Sequence, residues 1–540
     1  MKLYYYHDDA KHKELNARGL DYTPAYIPVF LKNLGFCASE ILPCDLSKLT
    51  KNDTVIIGAD TLDSADVILD SGCNILAFGT LGLGIKTESV KQGGQYDVVG
   101  YFSFDNEPLP VLSAYTRIVD DVAPLGKIDG NTAFAKHNNI YYFSFDLPAT
   151  MLYSSDGKPT LEGKNGFAVG RIPDGCVLPP DYDYNVAYND SYLRKIEDIL
   201  HEFGFANIFA LPVKGGKVCD LALYFAGDDD AHSAANDLMA AENMHKRGLP
   251  YHLNLMPKKS GEFVVTKADV ESLKALGCEL AIHYDFTQFE YSPDGHKTQM
   301  EMYSNAIGNS GGPVNHCLVQ IGTAPERYMM QIACGAKYDN NRFQNKVDPN
   351  DINAFNLVGY GFGHAFPRFC MADSKNSNAP LQFCEIYMSY YEPRIVNKTP
   401  DEYQKIESYL DDSYKYARTS QLFTHPHYIS GATKSNPEYA LAALDYAKEY
   451  VTKKGWNVWY TAPDTLGDWW HARANCEITD TSANGVCINN TTGQKITVVL
   501  PVDTTNAAVD GNPATVTQKN IGERTQSLVS IDAGVHKIEY

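Results

Sequence analysis

The sequence predicts a multidomain α/β protein: an α/β domain, a β-rich extension, a distorted β/α barrel and a small β-sandwich-like module. Three observations predict this. The chain has 540 residues, more than one hydrophobic core supports. Short apolar runs alternate with amphipathic stretches over residues 1–100 and again over 216–475, as they do when helices cover a parallel sheet. From residue 476 the chain turns Thr-, Asn-, Val- and Gly-rich, with short alternating strands.

In residues 1–100, KLYYY, DTVIIG and NILAFG read as strands, and YIPVFLKNLG and LDSADVILDSG as helices. No GxGxxG opens the first helix, so a dinucleotide site is not supported. This segment resembles the flavodoxin-like, amidotransferase-like domains found beside carbohydrate enzymes. Residues 101–215 lose the rhythm. VVGYFSF at the boundary, then LPVLSAYT, NIYYFSFD and GFAVGRI, read as short added strands, and DSYLRKIEDILHEFGF as a linking amphipathic helix. Residues 216–475 hold seven expected strands: LALYFAG, YHLNLMP, CELAIHY, CLVQIG, FCEIYMS, QLFTHPHY and WNVWYT. Helix starts are marked at Thr266, Thr399-Pro400 and Asn436-Pro437. Seven βα units predict a β/α barrel, distorted or incomplete, whose chemistry gathers where strands end. Residues 476–540, with QKITVVLPV, SLVSIDAG and HKIEY, form the last module.

Composition narrows the function. A net charge of -20, spread along the chain, argues against nucleic acid and anionic membranes as partners. No run of 18 apolar residues predicts a membrane span, and MKLYYYHDDA does not read as a signal peptide. The 12 cysteines show no CxxC spacing; Cys476 and Cys487 are candidates to pair, and the rest read mostly as buried thiols. N-x-S/T triplets at Asn52, Asn189, Asn397, Asn489 and Asn490 lean toward a secreted or cell-surface protein. The 36 tyrosines suit half-buried sheet faces, and also suit stacking on sugar rings.

The chemistry gathers at the strand ends. LALYFAG runs into Asp228, Asp229 and Asp230. Three adjacent carboxylates repel and resist burial, so the run is either a solvated turn or a cation site. LAIHYDF ends in His283 and Asp285, and QLFTHPHY in His425-Pro426-His427. On extended backbone His425 and His427 would point the same way. Carboxylates with neutral imidazoles are the ligand set of zinc or another divalent transition metal. A metal lowers the pKa of its bound water to about 7, and a neighbouring carboxylate then serves as general base.

These motifs resemble the polysaccharide deacetylases of the NodB-homology family, over residues 216–475. LALYFAGDDDAH is similar to the family's first motif, LAIHYDF to its second and LFTHPHY to its last. APDTLGDWWHAR is similar to a segment that follows the barrel in distant members. The resemblance implies a distorted β/α barrel that hydrolyses the acetamide of an N-acetylated glycan with metal-activated water. Carried over, Asp228 would be the base and Asp229 a metal ligand, or Asp229 and Asp230 would take those roles. His283 would be a ligand, and His425 or His427 the acid that protonates the leaving amine; one of the two would otherwise be the third ligand. The family's second motif has another His where this chain has Thr287, and the Arg motif that orients the base is missing. His316, together with Tyr360, His364 and Arg368 of GYGFGHAFPRF, are the further candidates on the substrate side. Phe362, Trp469 and Trp470 are candidates to line a sugar cleft or to pack the core.

Two rival readings remain at this stage. One is a carbohydrate-binding or surface protein on a retired catalytic scaffold, suggested by the missing second His. The other is a metal-free glycoside hydrolase pairing one of Asp228–Asp230 with Asp285 or Glu385.

Overall fold

The computed structural model describes all residues except 60, 61, 63, 105, 106, 163–168, 180, 181, 344–354 and 432–435. Part of the strand expected at GFAVGRI therefore lies outside the described residues. The chain is a mixed α/β protein with several sheets, one of them a curled half-barrel.

The first sheet begins as a parallel set. Its spatial order is Ser39–Ile41, Leu3–Tyr6, Thr54–Ile57, Asn74–Phe78 and Ile140–Phe143, which is the 2-1-3-4-5 order of a doubly wound sheet. Thr54–Ile57 is buried throughout, as a β-branched strand covered on both faces must be. The β additions do not form a separate layer. Asn131–His137, Pro124–Ile128, Gly100–Phe104 and Glu107–Val111 extend the same sheet antiparallel, giving nine strands.

The central sheet positions the strand ends. Its order is Val314–Asn315, Cys278–Tyr284, Tyr251–Leu255, Leu221–Asp228, Thr419–Phe423, Tyr390–Tyr391 and Leu357–Val358. Pairing is parallel except at Leu357–Val358. Leu221–Asp228 is buried over all eight residues and forks along one edge. Its first half pairs with Val458–Thr461 and its second half with Tyr251–Leu255. The helix starts expected from sequence are present. Thr266 Oγ1 caps Asp269 N, Glu402 accepts from Thr399 N at 3.0 Å, and Asn436 caps Glu438 N.

Three expected strands differ. CLVQIG is not a strand: Val314–Asn315 pairs beside His283 and leads into a 3₁₀ turn over His316–Leu318. FCEIYMS is a strand only through Tyr387, as the end of Pro380–Tyr387, which belongs to a separate three-stranded sheet with Tyr338–Arg342 and Arg368–Met371. QLFTHPHY ends as a strand at Phe423, and Pro426–Ser430 is a short helix. Pro426 at the first helical position explains the switch, because its fixed φ suits a helix start and its missing N–H costs nothing there. His425 and His427 therefore do not share one extended face.

The C-terminal residues form two antiparallel sheets. One takes in Asn207–Ile208, which pairs with Ile496–Leu500. A single apolar cluster runs from Leu3 of the first sheet to Ile538 near the C-terminus and includes Trp469 and Trp470. The indole of Trp469 donates to Ala210 O at 2.8 Å, and Trp470 packs against Phe366 and Arg473, so both tryptophans serve the core. All twelve cysteines are free thiols. Cys476 is buried with its sulfur against Ala472 O and Asn490 Oδ1, so it does not pair with Cys487. Among the described residues no helix is long and apolar enough to cross a membrane.

Candidate functional site

Asp228 ends its strand and Asp230 follows two residues on, so alternation puts both carboxylates on one side and Asp229 on the other. Asp228 Oδ2 lies 3.6 Å from His283 Nε2, and Asp230 Oδ1 lies 3.2 Å from the same nitrogen. Asp229 instead accepts Ser233 N at 3.0 Å, at the start of the Ala234–Lys246 helix. The structure thus gathers Asp228 and Asp230, which is neither of the adjacent pairings expected from the family motif.

Three imidazoles surround Asp230. His283 Nδ1 donates to Val314 O at 3.1 Å. His425 Nδ1 lies 2.6 Å from Glu392 Oε1, and its Nε2 lies 3.2 Å from Asp230 Oδ2. His316 Nδ1 lies 3.3 Å from Asp285 Oδ1, and its Nε2 lies 3.9 Å from Asp230 Oδ1. Each ring commits one nitrogen to an acceptor and turns the other toward the same carboxylate. An acceptor on both sides of a ring demands a positive charge, supplied by a second proton or by a metal ion. Asp228, Asp230 and His283 bring ligand atoms within 4.8 Å of one another, the donor types that zinc takes.

The second partners are themselves fixed. Asp285 accepts from Thr287 N at 3.0 Å, from Thr287 Oγ1 at 2.5 Å and from the Gln288 amide. Glu392 is fully buried and accepts both the ring and the backbone N–H of His425. Thr287, which stands where the family has its second ligand, thus acts through Asp285, while His316 enters from the turn that follows Val314–Asn315.

Backbone strain collects here. His232, Cys317, Leu318 and Glu392 all have φ between 46° and 56°, a region that costs non-glycine residues about 1 kcal/mol or more each. Cys317 and Leu318 form the turn that presents His316. Gly227, just before Asp228, has no room for a Cβ, which would overlap Thr424 O and the Tyr251 hydroxyl. That hydroxyl donates to Thr424 O at 2.7 Å across the glycine.

The electrostatics follow the geometry. Burial opposes the charge on Asp230, but the His425 charge and hydrogen bonds from His283 and His425 hold its carboxyl well below the usual range. Burial raises Asp228 above it despite His283 and His425, and burial pushes Asp229 up to about 7. Burial disfavours the His316 cation, yet the Asp285 hydrogen bond pushes its pKa up to about 11. His425 is also raised well above the usual histidine range: Tyr391, Asp230 and Glu392 outweigh its burial. His427 goes the other way, down to about 4, through burial and the neighbouring His425 charge. Asp230 is 33% exposed while His283 is 1%, so solvent reaches the cluster from the Asp230 side.

The remaining candidates lie elsewhere. His364 is buried between Asp190 Oδ1 and Ser155 Oγ, both at 2.8 Å. Arg368 is buried in an ion network, 2.7 Å from Asp156 and 2.9 Å from Glu385. Glu385 also pairs with Arg342 at 2.7 Å and with Arg327. Three guanidiniums thus hold Glu385, which removes it from the acid/base roles the glycoside-hydrolase reading gave it. Tyr360 is buried against Arg418, and Phe362 lies in an apolar cluster under Arg342. The residues missed from sequence are Glu392, Asn254 and His252. His252 and Asn254 left one signal, a polar pair at alternate positions in the otherwise apolar YHLNL.

No family model and no curated protein matches the chain. Solved structures align weakly. A β-galactosidase from the psychrophilic Marinomonas ef1 aligns at TM-score 0.22 and 14% identity, over 28% of each chain. An α-amylase from Geobacillus thermoleovorans, complexed with acarbose, gives 0.22 and 7%, over 59% of this chain and 98% of the amylase. A β-arabinopyranosidase gives 0.23 and 8%, over 63% of this chain and 58% of its own. Likeness at this level carries no argument about fold or chemistry.

Proposed function

We propose that the chain is a metal-dependent hydrolase that removes acetyl groups, N-acetyl in the first instance, from an oligo- or polysaccharide. The observation that carries this is the convergence of the His283, His316 and His425 Nε2 atoms on Asp230, each ring oriented through Nδ1 by its own acceptor. That donor set suits zinc or another divalent transition metal. The carbohydrate substrate rests on the motif resemblance alone.

When bound, such an ion supplies an activated water and polarises the scissile carbonyl. The side chains divide the remaining work by position. Asp230, His283 and His316 would hold the cation, and Asp228 Oδ2 borders it as a further ligand-type oxygen. Asp228 faces the same space through Oδ2 and takes the proton of the attacking water. His425, backed by Glu392, delivers a proton to the sugar nitrogen, which leaves only when protonated. His427, its pKa lowered to about 4, is neutral around pH 7 and lacks the imidazolium proton a general acid gives.

A second reading is favoured by the opposite shifts of Asp228 and Asp230. A carboxyl pushed up beside one held low is the pattern of an acid/base pair, as in a metal-free glycoside hydrolase. Metal content by plasma mass spectrometry, on wild type and His283→Ala, separates the two. Near-stoichiometric zinc that is lost in the variant supports the deacetylase, and acetate release from acetylated glycans then tests the reaction. A wild type that holds no metal and refuses added zinc overturns it. Reducing sugar released without metal favours the glycoside hydrolase; no turnover favours a binding protein.

A further inference from the structure

The family resemblance left Asp228 without the arginine that would orient it. We infer that Asn254 and His252 take that role: a hydrogen-bonded line from Glu279 and Asp464 through His252 and Asn254 fixes Asp228. This builds on the metal-dependent reading of the same site.

The line crosses three adjacent strands. Asp228 pairs with Asn254 and Ala226 with His252, while His252 pairs with Glu279. His252 and Asn254 are two apart on one strand, so they share a face. Asn254 Nδ2 donates to Asp228 Oδ1 at 2.8 Å and also faces Gly227 O at 3.4 Å. Those acceptors demand the NH₂ end of the amide, so Asn254 Oδ1 must face the other way. It lies 3.0 Å from His252 Nε2. His252 Nδ1 in turn lies 3.2 Å from Glu279 Oε2 and 3.4 Å from Asp464 Oδ1. Both ring nitrogens therefore face acceptors, and both must carry a proton. Burial lowers the pKa of this ring, but the Asp464 and Glu279 charges and hydrogen bonds push it up to about 9.

The far end is anchored. Glu279 accepts Asp464 N at 2.7 Å and Thr465 N at 2.9 Å, holding the start of the Pro463–Ala474 helix. Asp464 Oδ1 accepts Gly312 N at 2.9 Å. Glu279, His252 and Asp464 also satisfy metal-ligand spacing, but the protonated ring supplies the positive charge between the two carboxylates. The consequence at the near end is geometric. With Oδ1 held by Asn254, Asp228 has one free orientation, and Oδ2 faces His283. His252 and Asn254 are positioning residues: both act through Asp228.

The test uses the full chain with Zn²⁺ and Co²⁺ as probes. His252→Leu and Asn254→Leu should weaken zinc binding by roughly 10- to 100-fold, as loss of an outer partner does. They should also alter the visible spectrum of bound Co²⁺, read on preparations whose circular dichroism shows them folded, since His252→Leu also costs stability. His252→Gln keeps a donor toward Asn254 and should restore most of the affinity, a rescue that a merely structural role would not give. Wild-type affinity and an unchanged Co²⁺ spectrum in both leucine variants overturn the positioning role while the metal site stands. If the wild type binds neither metal, the metal reading falls by itself. The line is then judged by ¹⁵N-histidine NMR of the wild type near neutral pH. Two protonated ring nitrogens on His252 support it, and a singly protonated ring overturns it.

Discussion

Asp230 Oδ2 lies 3.2 Å from His425 Nε2, joining the end of the Leu221–Asp228 strand to the helix cap that follows the neighbouring strand. The contact places an ionised carboxylate between ligand-type and acid-type histidines. It also separates their roles experimentally.

His316→Ala and Asp230→Asn should each remove bound zinc and activity together. His425→Ala should keep zinc near the wild-type level while slowing acetate release by about 10²-fold, the share a positioned proton donor commonly supplies. His364→Ala should leave zinc unchanged, because that ring is held by Asp190 and Ser155 away from the cluster. Metal analysis with an acetate assay on the same preparations checks all four.

The pH dependence of stability should report His252. Its folded pKa is raised to about 9, against about 6.5 unfolded. Its contribution is therefore complete below about pH 6.5 and is lost as pH rises through about 9, with an upper bound of about 3 kcal/mol. The thermal midpoint of the wild type should fall across that window, and that of His252→Leu should fall less. Parallel profiles would exclude the ring as the source.

The Arg327–Arg342–Arg368–Glu385 network should behave as a structural element. Every member is buried, and removing one partner leaves charge uncompensated in a low dielectric. Glu385→Ala should destabilise the protein by about 3–5 kcal/mol in chemical denaturation. Whatever fraction folds should still bind zinc, since the cluster around Asp230 shares no residue with the network.

Gly227→Ala tests the strand end directly. A methyl group there overlaps Thr424 O and the Tyr251 hydroxyl, so the strand must shift next to Asp228. Zinc affinity should fall even though no ligand changes, and Tyr251→Phe in the same background should recover part of it. Titration of the apoprotein with zinc gives both values.

What the sequence made legible was local. The parallel order of the first sheet, the helix caps at Thr266, Thr399 and Asn436, and the gathering of Asp228, Asp230, His283 and His425 at strand ends all follow from periodicity and turn chemistry. The adjacent-aspartate pairing failed because alternation on extended backbone groups residues two apart, and Asp229 turns to cap a helix instead. The shared face for His425 and His427 failed because Pro426 opens a helix. His316 and Glu392 lie 33 and 109 residues after His283 in the chain, and only strand pairing and the tight turns at Cys317 and Glu392 bring them in. No local pattern marks such residues. The alternation of His252 and Asn254 in a buried strand did mark itself, and it is a signal worth reading elsewhere.

The apolar cluster that runs from Leu3 to Ile538 makes one core out of stretches far apart in the chain. Arg473 donates to Asn33 O and to Ile208 O, pinning the Pro463–Ala474 helix to both the first sheet's side and the strand that joins the C-terminal sheets. Parts that share a core lose it together, so chemical denaturation should melt the first sheet and the C-terminal sheets in one cooperative step. Tryptophan fluorescence, which reports Trp469 and Trp470 inside that cluster, should follow the same curve as circular dichroism.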